Sequence, residues 1–166
     1  MSEPFPPPPA YAPGVILPSA APAVPYDRSV APVASGLAMK RRNPAAVWIG
    51  LPLITLGVYS YVWYYKINKE MAELDRRRAI SPSGPLLVII FLGWTVIAPI
   101  ISFHNTGKRI QNAQRAAGLV PTCSPVLCWL LAIVFGLNSL YMQVQLNKIV
   151  DTYPGATPGM QIPLYA

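Results

Sequence analysis

The chain has 166 residues, of which 53% are hydrophobic and only 11% are charged, and its formal net charge is +7. Soluble domains usually contain about 25% charged residues, so the composition argues against an ordinary water-soluble domain. With 20 prolines as well, it predicts a membrane domain next to a proline-rich tail.

The predicted tail covers residues 1–38, and its ten prolines all lie between Pro4 and Pro32. Prolines this frequent remove helix donors and favour polyproline II, so we expect the tail to be disordered. Residues 8–11 form a PPxY-like sequence of the kind that aromatic-lined grooves bind. A protein partner bound through the tail is therefore one hypothesis, and a flexible spacer is the other.

Three stretches without charged residues follow the tail. A bilayer core about 30 Å thick needs roughly 20 helical residues to cross it, and each stretch is long enough. The sequence therefore predicts an all-α integral membrane fold with three transmembrane helices. Within a membrane domain of residues 39–153, the predicted segments are a first span at 46–65, a charged helix at 66–80, a second span at 84–103, a polar surface helix at 106–117, and a third span at 125–145 extending to 153, followed by a C-terminal tail at 154–166.

Aromatic and basic residues cluster at the ends of these stretches. Aromatic rings with polar tips favour the headgroup layer, which predicts interface positions for Trp48, Tyr59, Tyr61, Trp63, Tyr64 and Tyr65. Basic side chains near a bilayer attract anionic headgroups. The predicted headgroup contacts are Lys40, Arg41, Arg42, Arg76, Arg77, Arg78, Lys108, Arg109 and Arg115. Lipid is the expected partner, and no nucleic-acid module accompanies these short basic clusters.

Small residues let membrane helices approach closely. The candidate packing positions are Gly50, Gly57 and Ser60 in the first stretch and Ala132, Gly136 and Ser139 in the third. An offset of 79 residues superimposes Gly57 on Gly136 and also aligns three further identical residues up to Lys69 and Lys148. Chance and duplication both remain open as explanations of this faint repeat.

The residues that catalysis needs are scarce. The chain contains one His, two Cys and six acidic residues, and no pattern matches a metal-ligand cluster, a phosphate-binding glycine loop or a nucleophile with its base. We therefore expect a non-enzyme without catalytic residues, cofactor or metal. Cys123 and Cys128 are five positions apart, which is not a typical disulfide or redox spacing, and are predicted to be free thiols.

The distribution of Lys and Arg leaves the orientation open. Cytoplasmic loops carry an excess of these residues, yet for three successive spans both orientations place six of them near the inner face. We expect the N-terminus to be cytoplasmic because Lys40 to Arg42 directly precede the first stretch. A re-entrant first segment, broken at Pro52 and Gly57, would instead put both of its basic flanks on one side.

Three motifs carry a resemblance to a known family. They are TLGVYSYVWYYKINKEM (Thr55 to Met71), TGKRIQNAQRAAGL (Thr106 to Leu119) and YMQVQLNKI (Tyr141 to Ile149). With them the chain resembles a family of small bacterial multi-pass membrane proteins known only as a domain of unknown function. The matching residues are Thr55, Gly57, Tyr59, Trp63, Tyr65, Asn68, Arg109, Arg115, Gly118, Gln143 and Asn147. The resemblance implies a bacterial integral membrane protein, often with a proline-rich tail, and brings no activity, cofactor or catalytic residue. The expected location is the bacterial plasma membrane.

The first functional hypothesis is a structural or interaction component of a membrane. The alternative is a subunit of a homo-oligomeric channel or transporter, with Asn138, Gln143 and Asn147 lining a path along the third span. An enzyme acting on lipid headgroups is a third hypothesis.

Overall fold

The structure is a computed structural model, and it describes residues 31–165. The PPxY-like sequence and most of the predicted tail lie outside the described residues. In chain order the elements are β1 (Ala34–Leu37), a π-helical turn (Ala46–Gly50) that continues into α1 (Leu51–Ile54), α2 (Val58–Leu74), α3 (Gly84–Leu92), a 3-10 turn (Gly93–Thr95), α4 (Ile97–Ala116), α5 (Pro125–Ile133), α6 (Asn138–Asp151) and β2 (Gln161–Leu164).

The helices form three antiparallel hairpins. Hairpin one consists of the π-helical turn with α1 and of α2, hairpin two of α3 and α4, and hairpin three of α5 and α6. The two helical arms of each hairpin are joined by a polar contact at the ends away from the turn. The Arg42 guanidinium binds Glu70 across hairpin one, Ser102 Oγ donates to Pro85 O across hairpin two at 3.3 Å, and Thr122 Oγ1 donates to Gln145 Oε1 across hairpin three at 2.7 Å.

The prediction of three transmembrane helices is wrong. Each predicted span is interrupted near its middle, at residues 55–57, 93–96 and 134–137, where the chain reverses direction. We call these three turns the tips, and the opposite ends of the hairpins the base. Among the described residues, no helix combines the length and apolar character that crossing a membrane requires.

Hairpin one turns through a Schellman motif, in which a left-handed residue closes the end of a helix. The N–H of Gly57 donates to Pro52 O at 2.7 Å, and Leu56 and Gly57 have φ angles of 51° and 88°. The hydroxyl of Thr55 then accepts a hydrogen bond from the Tyr59 N–H at 2.9 Å, which satisfies a free donor in the first turn of α2. The helix therefore ends and restarts within three residues.

The other two tips also contain residues with positive φ angles. Val96 has a φ of 60° at the second tip, and Phe135 and Gly136 have φ angles of 49° and 65° at the third. Leu56–Gly57 and Phe135–Gly136 are 79 residues apart, which is the offset of the faint repeat. Pro99 lies in the first turn of α4, where its missing N–H breaks no helical hydrogen bond.

All three tips point toward the same end of the molecule, because contacts between hairpins join residues at similar distances from their tips. Trp63 Nε1 donates to Gln143 Oε1 at 2.8 Å. Trp63 lies seven residues after Leu56 of the first tip, and Gln143 lies eight residues after Phe135 of the third. Tyr64 lies eight residues past Leu56, and Ser102 lies eight residues past Trp94. Their hydroxyl oxygens are 3.0 Å apart.

A two-stranded sheet covers the base, so the fold is mostly helical and not all-α. β1 and β2 pair antiparallel, with Ala34 opposite Leu164 and Leu37 opposite Gln161. Gly36 lies against the end of α2, and a Cβ there would be 1.7 Å from Leu74 O. The hydrophobic core lies beneath this sheet, and its largest fully buried members are Ile67, Met71, Leu74, Ile110, Met142, Leu146, Ile149 and Leu164.

Candidate functional site

The tips form an exposed apolar surface. Leu56, Trp94 and Phe135 are 94%, 84% and 89% exposed, although each is large and hydrophobic. Other large apolar side chains around them are exposed as well: Leu53, Ile54, Val58, Phe91, Val96, Ile97, Ile133 and Val134. Apolar surface concentrated at one place on a protein marks a site for a partner or a membrane. We call this set of residues the tip surface.

The charged side chains lie at the base, at the opposite end of the hairpins. Arg41 pairs with Asp151 at 2.9 Å, and Arg42 forms a little-exposed ion pair with Glu70. Of the remaining predicted headgroup residues, Lys40, Arg76, Lys108 and Arg115 are exposed. The basic flanks of the three apolar stretches thus lie together at one end. This arrangement is consistent with the equal numbers of Lys and Arg that the two orientations of a three-span chain would place near the inner face.

The Arg77 and Arg78 side chains converge on one buried carboxylate. Their Nε atoms lie 2.9 and 3.1 Å from the oxygens of Asp75, whose side chain is 3% exposed. Burial alone would raise the pKa of Asp75, but the hydrogen bonds and charges of the two arginines outweigh it and hold the pKa below its usual value. This cluster fixes the chain where α2 ends.

Between the tips and the base, buried polar side chains tie the hairpins together. Gln143, which accepts from Trp63, donates from Nε2 to Asn147 Oδ1 at 2.9 Å, and Asn147 Nδ2 donates to Arg42 O at 2.7 Å. No buried side-chain nitrogen or oxygen in residues 31–165 lacks a hydrogen-bond partner. A satisfied network of this kind specifies how the hairpins pack.

This network uses two of the aromatics that were expected at the membrane interface. Trp63 and Tyr64 are 2% and 3% exposed, and the Tyr64 hydroxyl shares a 2.7 Å hydrogen bond with Thr106. Tyr61 and Tyr65 are exposed on α2, while Trp48 and Tyr59 are partly buried. The Trp48 indole donates to Phe135 O at 3.0 Å, so it joins hairpin one to the tip of hairpin three.

The expected packing glycines lie elsewhere. Gly57 and Gly136 are in the tips, and no atom lies within 4 Å of a Cβ built on either. The other candidates, Gly50, Ser60, Ala132 and Ser139, are partly buried. The close approach between helices occurs instead at Gly107 of α4, where a Cβ would be 2.7 Å from Pro125 Cα. A lone Gly between polar residues gave no sequence signal for this contact.

The cysteines are free, as expected, but they are neighbours in space. Cys123 Sγ, in the loop before α5, and Cys128 Sγ, in α5, are 3.7 Å apart and buried. No group of three or more potential metal-ligating side chains occurs in the part of the chain that the structure describes.

Comparison with known proteins found a family model that matches part of the chain. Searches of curated proteins and of solved structures found no match. Residues 43–112 match the model of a family described as Domain of unknown function (DUF4234). The matched segment contains the first motif completely and the second motif as far as Asn112. The expected resemblance to a family of unknown function is therefore confirmed over residues 43–112.

Proposed function

We propose that this chain is a non-enzymatic structural or interaction component of a membrane, embedded in one leaflet by its three hairpin tips. The tip surface is the observation that carries this proposal. In water, its side chains would leave an apolar surface exposed at each tip, while lipid would bury them at a gain of about 25 cal/mol per Å² of apolar area.

The dimensions of the hairpins suit a single leaflet. The arm α3 has nine residues, which corresponds to about 14 Å at the helical rise of 1.5 Å per residue. That length is about half of the roughly 30 Å hydrocarbon core. An irregular backbone at depth is costly unless its polar groups are satisfied, and the hydrogen bonds of Gly57 and Tyr59 reduce that cost at the first tip.

The charge distribution supports the same placement. With the tips in lipid, the basic groups of the base would lie along one membrane surface, where each suitably placed Lys or Arg attracts anionic lipid by about 1 kcal/mol. This surface would be the cytoplasmic one, since the excess of Lys and Arg marks the inner side. A bacterial plasma membrane remains the proposed location.

The channel alternative has less support. Gln143 and Asn147 are 1% and 7% exposed and are hydrogen-bonded within the chain, so using them to line a path would require the hairpins to separate. Asn138 is also buried. We propose that protein partners bind at the base instead.

Cysteine accessibility in vesicles tests the proposal. Ser35→Cys and Ile80→Cys, which lie on either side of hairpin one, should react with an impermeant maleimide from the same side of the membrane. Leu56→Cys and Phe135→Cys should be protected from both sides. The unsubstituted chain, with Cys123 and Cys128 buried, provides the background. Labels at 35 and 80 on opposite sides, or tip cysteines that react freely, would overturn the proposal.

A further inference from the structure

A pocket of about 220 Å³ opens between the two arms of hairpin two. It is lined by Gly84, Pro85, Val88, Ile101, Ser102, Asn105 and Arg109. The polar members Asn105 and Arg109 are farther from the tip than Ile101, and on the other arm Val88 is closer to the tip than Gly84. The pocket is therefore polar toward the base and apolar toward the tip.

A buried amide holds Arg109 at the polar end. Asn68 is 0% exposed, and its Oδ1 accepts a hydrogen bond from Arg109 Nη1 at 2.7 Å. The Asn68 Nδ2 donates in turn to Tyr64 O at 2.9 Å, which fixes the amide orientation. Arg109 is thus positioned by α2 of the neighbouring hairpin and keeps further N–H groups for a ligand.

The charge of Arg109 is not neutralised within the described chain. Arg42, Arg77 and Arg78 each form a salt bridge, but no carboxylate of residues 31–165 forms one with Arg109. Partial burial lowers the pKa of Arg109 from its usual value, although a guanidinium still stays protonated. A partly desolvated cation that pairs with a neutral amide and not with a carboxylate favours binding of an anion.

We propose that this pocket binds the phosphate of a phospholipid, with Arg109 on the phosphate and an acyl chain along Val88 and Ile101. The planar guanidinium presents parallel N–H donors that match two phosphate oxygens, and Asn105 adds an amide at the same end. The apolar end of the pocket, at Val88 and Ile101, is the end nearer the tip. This inference rests on the proposed function, because it places the pocket at the headgroup level of the leaflet.

Native mass spectrometry of the full chain in mild detergent, with added phosphatidylglycerol, tests the site. The unsubstituted chain should retain one lipid. Arg109→Gln should weaken that binding by about 10- to 100-fold, as expected for the net loss of one charge-assisted hydrogen bond. Arg109→Lys keeps the positive charge but lacks the parallel N–H donors of the guanidinium, so this variant should bind the lipid with intermediate strength. It gives a second measurement if the Gln variant folds poorly.

Two further variants and a competitor distinguish a phospholipid site in the pocket from a general effect of positive charge and from binding of phosphate alone. Arg115→Gln removes an exposed arginine of the same helix, outside the pocket, and should leave lipid retention unchanged. Val88→Trp should fill the pocket and abolish retention with Arg109 intact. Inorganic phosphate should compete poorly. Equal losses from Arg109→Gln and Arg115→Gln, retention by Val88→Trp, or equal competition by inorganic phosphate would each overturn the phospholipid site.

Failure of this site can be separated from failure of the proposed function. If the tip cysteines are protected in vesicles but the purified chain retains no lipid, the pocket proposal is wrong and membrane embedding stands. If the tip cysteines react freely, membrane embedding itself is wrong.

Discussion

Serine at the three most exposed tip positions should weaken membrane binding far more than serine at a comparable apolar position on the base. Leu56, Trp94 and Phe135 are 94%, 84% and 89% exposed in the chain alone, so nearly the whole of each side chain is available to lipid. Full burial of one large apolar side chain contributes about 1.5–3 kcal/mol. The triple substitution should therefore cost about 4.5–9 kcal/mol of membrane affinity, which corresponds to at least about a thousandfold lower partitioning.

The assay is flotation of the purified chain with vesicles over a range of lipid concentrations. The single variants should each lose about 10- to 100-fold in partitioning. Val120→Ser is the matched control, because Val120 is also apolar and 78% exposed but lies in the loop before α5. The reasoning is refuted if the triple variant floats like the unsubstituted chain, or if Val120→Ser weakens binding as much as a single tip variant does.

The remaining predictions concern how the hairpins are held together. Gly107→Ala should lower the free energy of unfolding by about 1–3 kcal/mol through overpacking, measured by thermal unfolding in detergent. Gly93→Ala should cost less, because a Cβ there meets nothing within 4 Å; equal costs would contradict the helix contact. A double-mutant cycle of Trp63→Phe and Gln143→Leu should give a coupling of about 1 kcal/mol, and additive effects would mean that the indole bond is not stabilising. Because the pKa of Asp75 is lowered in the folded chain, its ionised form stabilises the fold above the usual carboxyl pKa and this contribution is lost as the pH falls through the folded value. Urea titrations should show Asp75→Asn removing that acid-dependent loss; an unchanged pH profile would argue against the arginine cluster.

The sequence located the apolar stretches and their charged flanks, but it did not predict that the chain reverses within each stretch. The reversals depend on Leu56, Val96 and Phe135 adopting positive φ, a conformation that is rare for residues of this kind. Local propensity therefore favours continuous helices. Gly57 and Gly136 coincide in the 79-residue repeat, yet glycines are common in membrane helices, where they favour close packing as readily as a turn.

Long-range polar pairs explain why the hairpins form despite these preferences. Arg42 meets Glu70 across 28 residues, and Trp63 meets Gln143 across 80. Nothing in the spacing of such residues identifies them as partners, because their proximity follows from packing that is itself the outcome of folding. The pocket at Arg109 was equally hidden: the sequence predicted a headgroup contact there, but the role of Asn68 in orienting it depends on the approach of α2 to α4.

The shared direction of the tips bears on how an embedded chain would reach its membrane. A three-span topology would have to carry the segment with Arg76, Arg77 and Arg78 through the hydrocarbon, where even the translocon scale sets a cost of about 2.5–3.5 kcal/mol for each arginine. With all three turns at one end, none of these charges needs to cross. The base would fold in water around its sheet. Membrane insertion would then require only that the three uncharged tips enter the nearer leaflet.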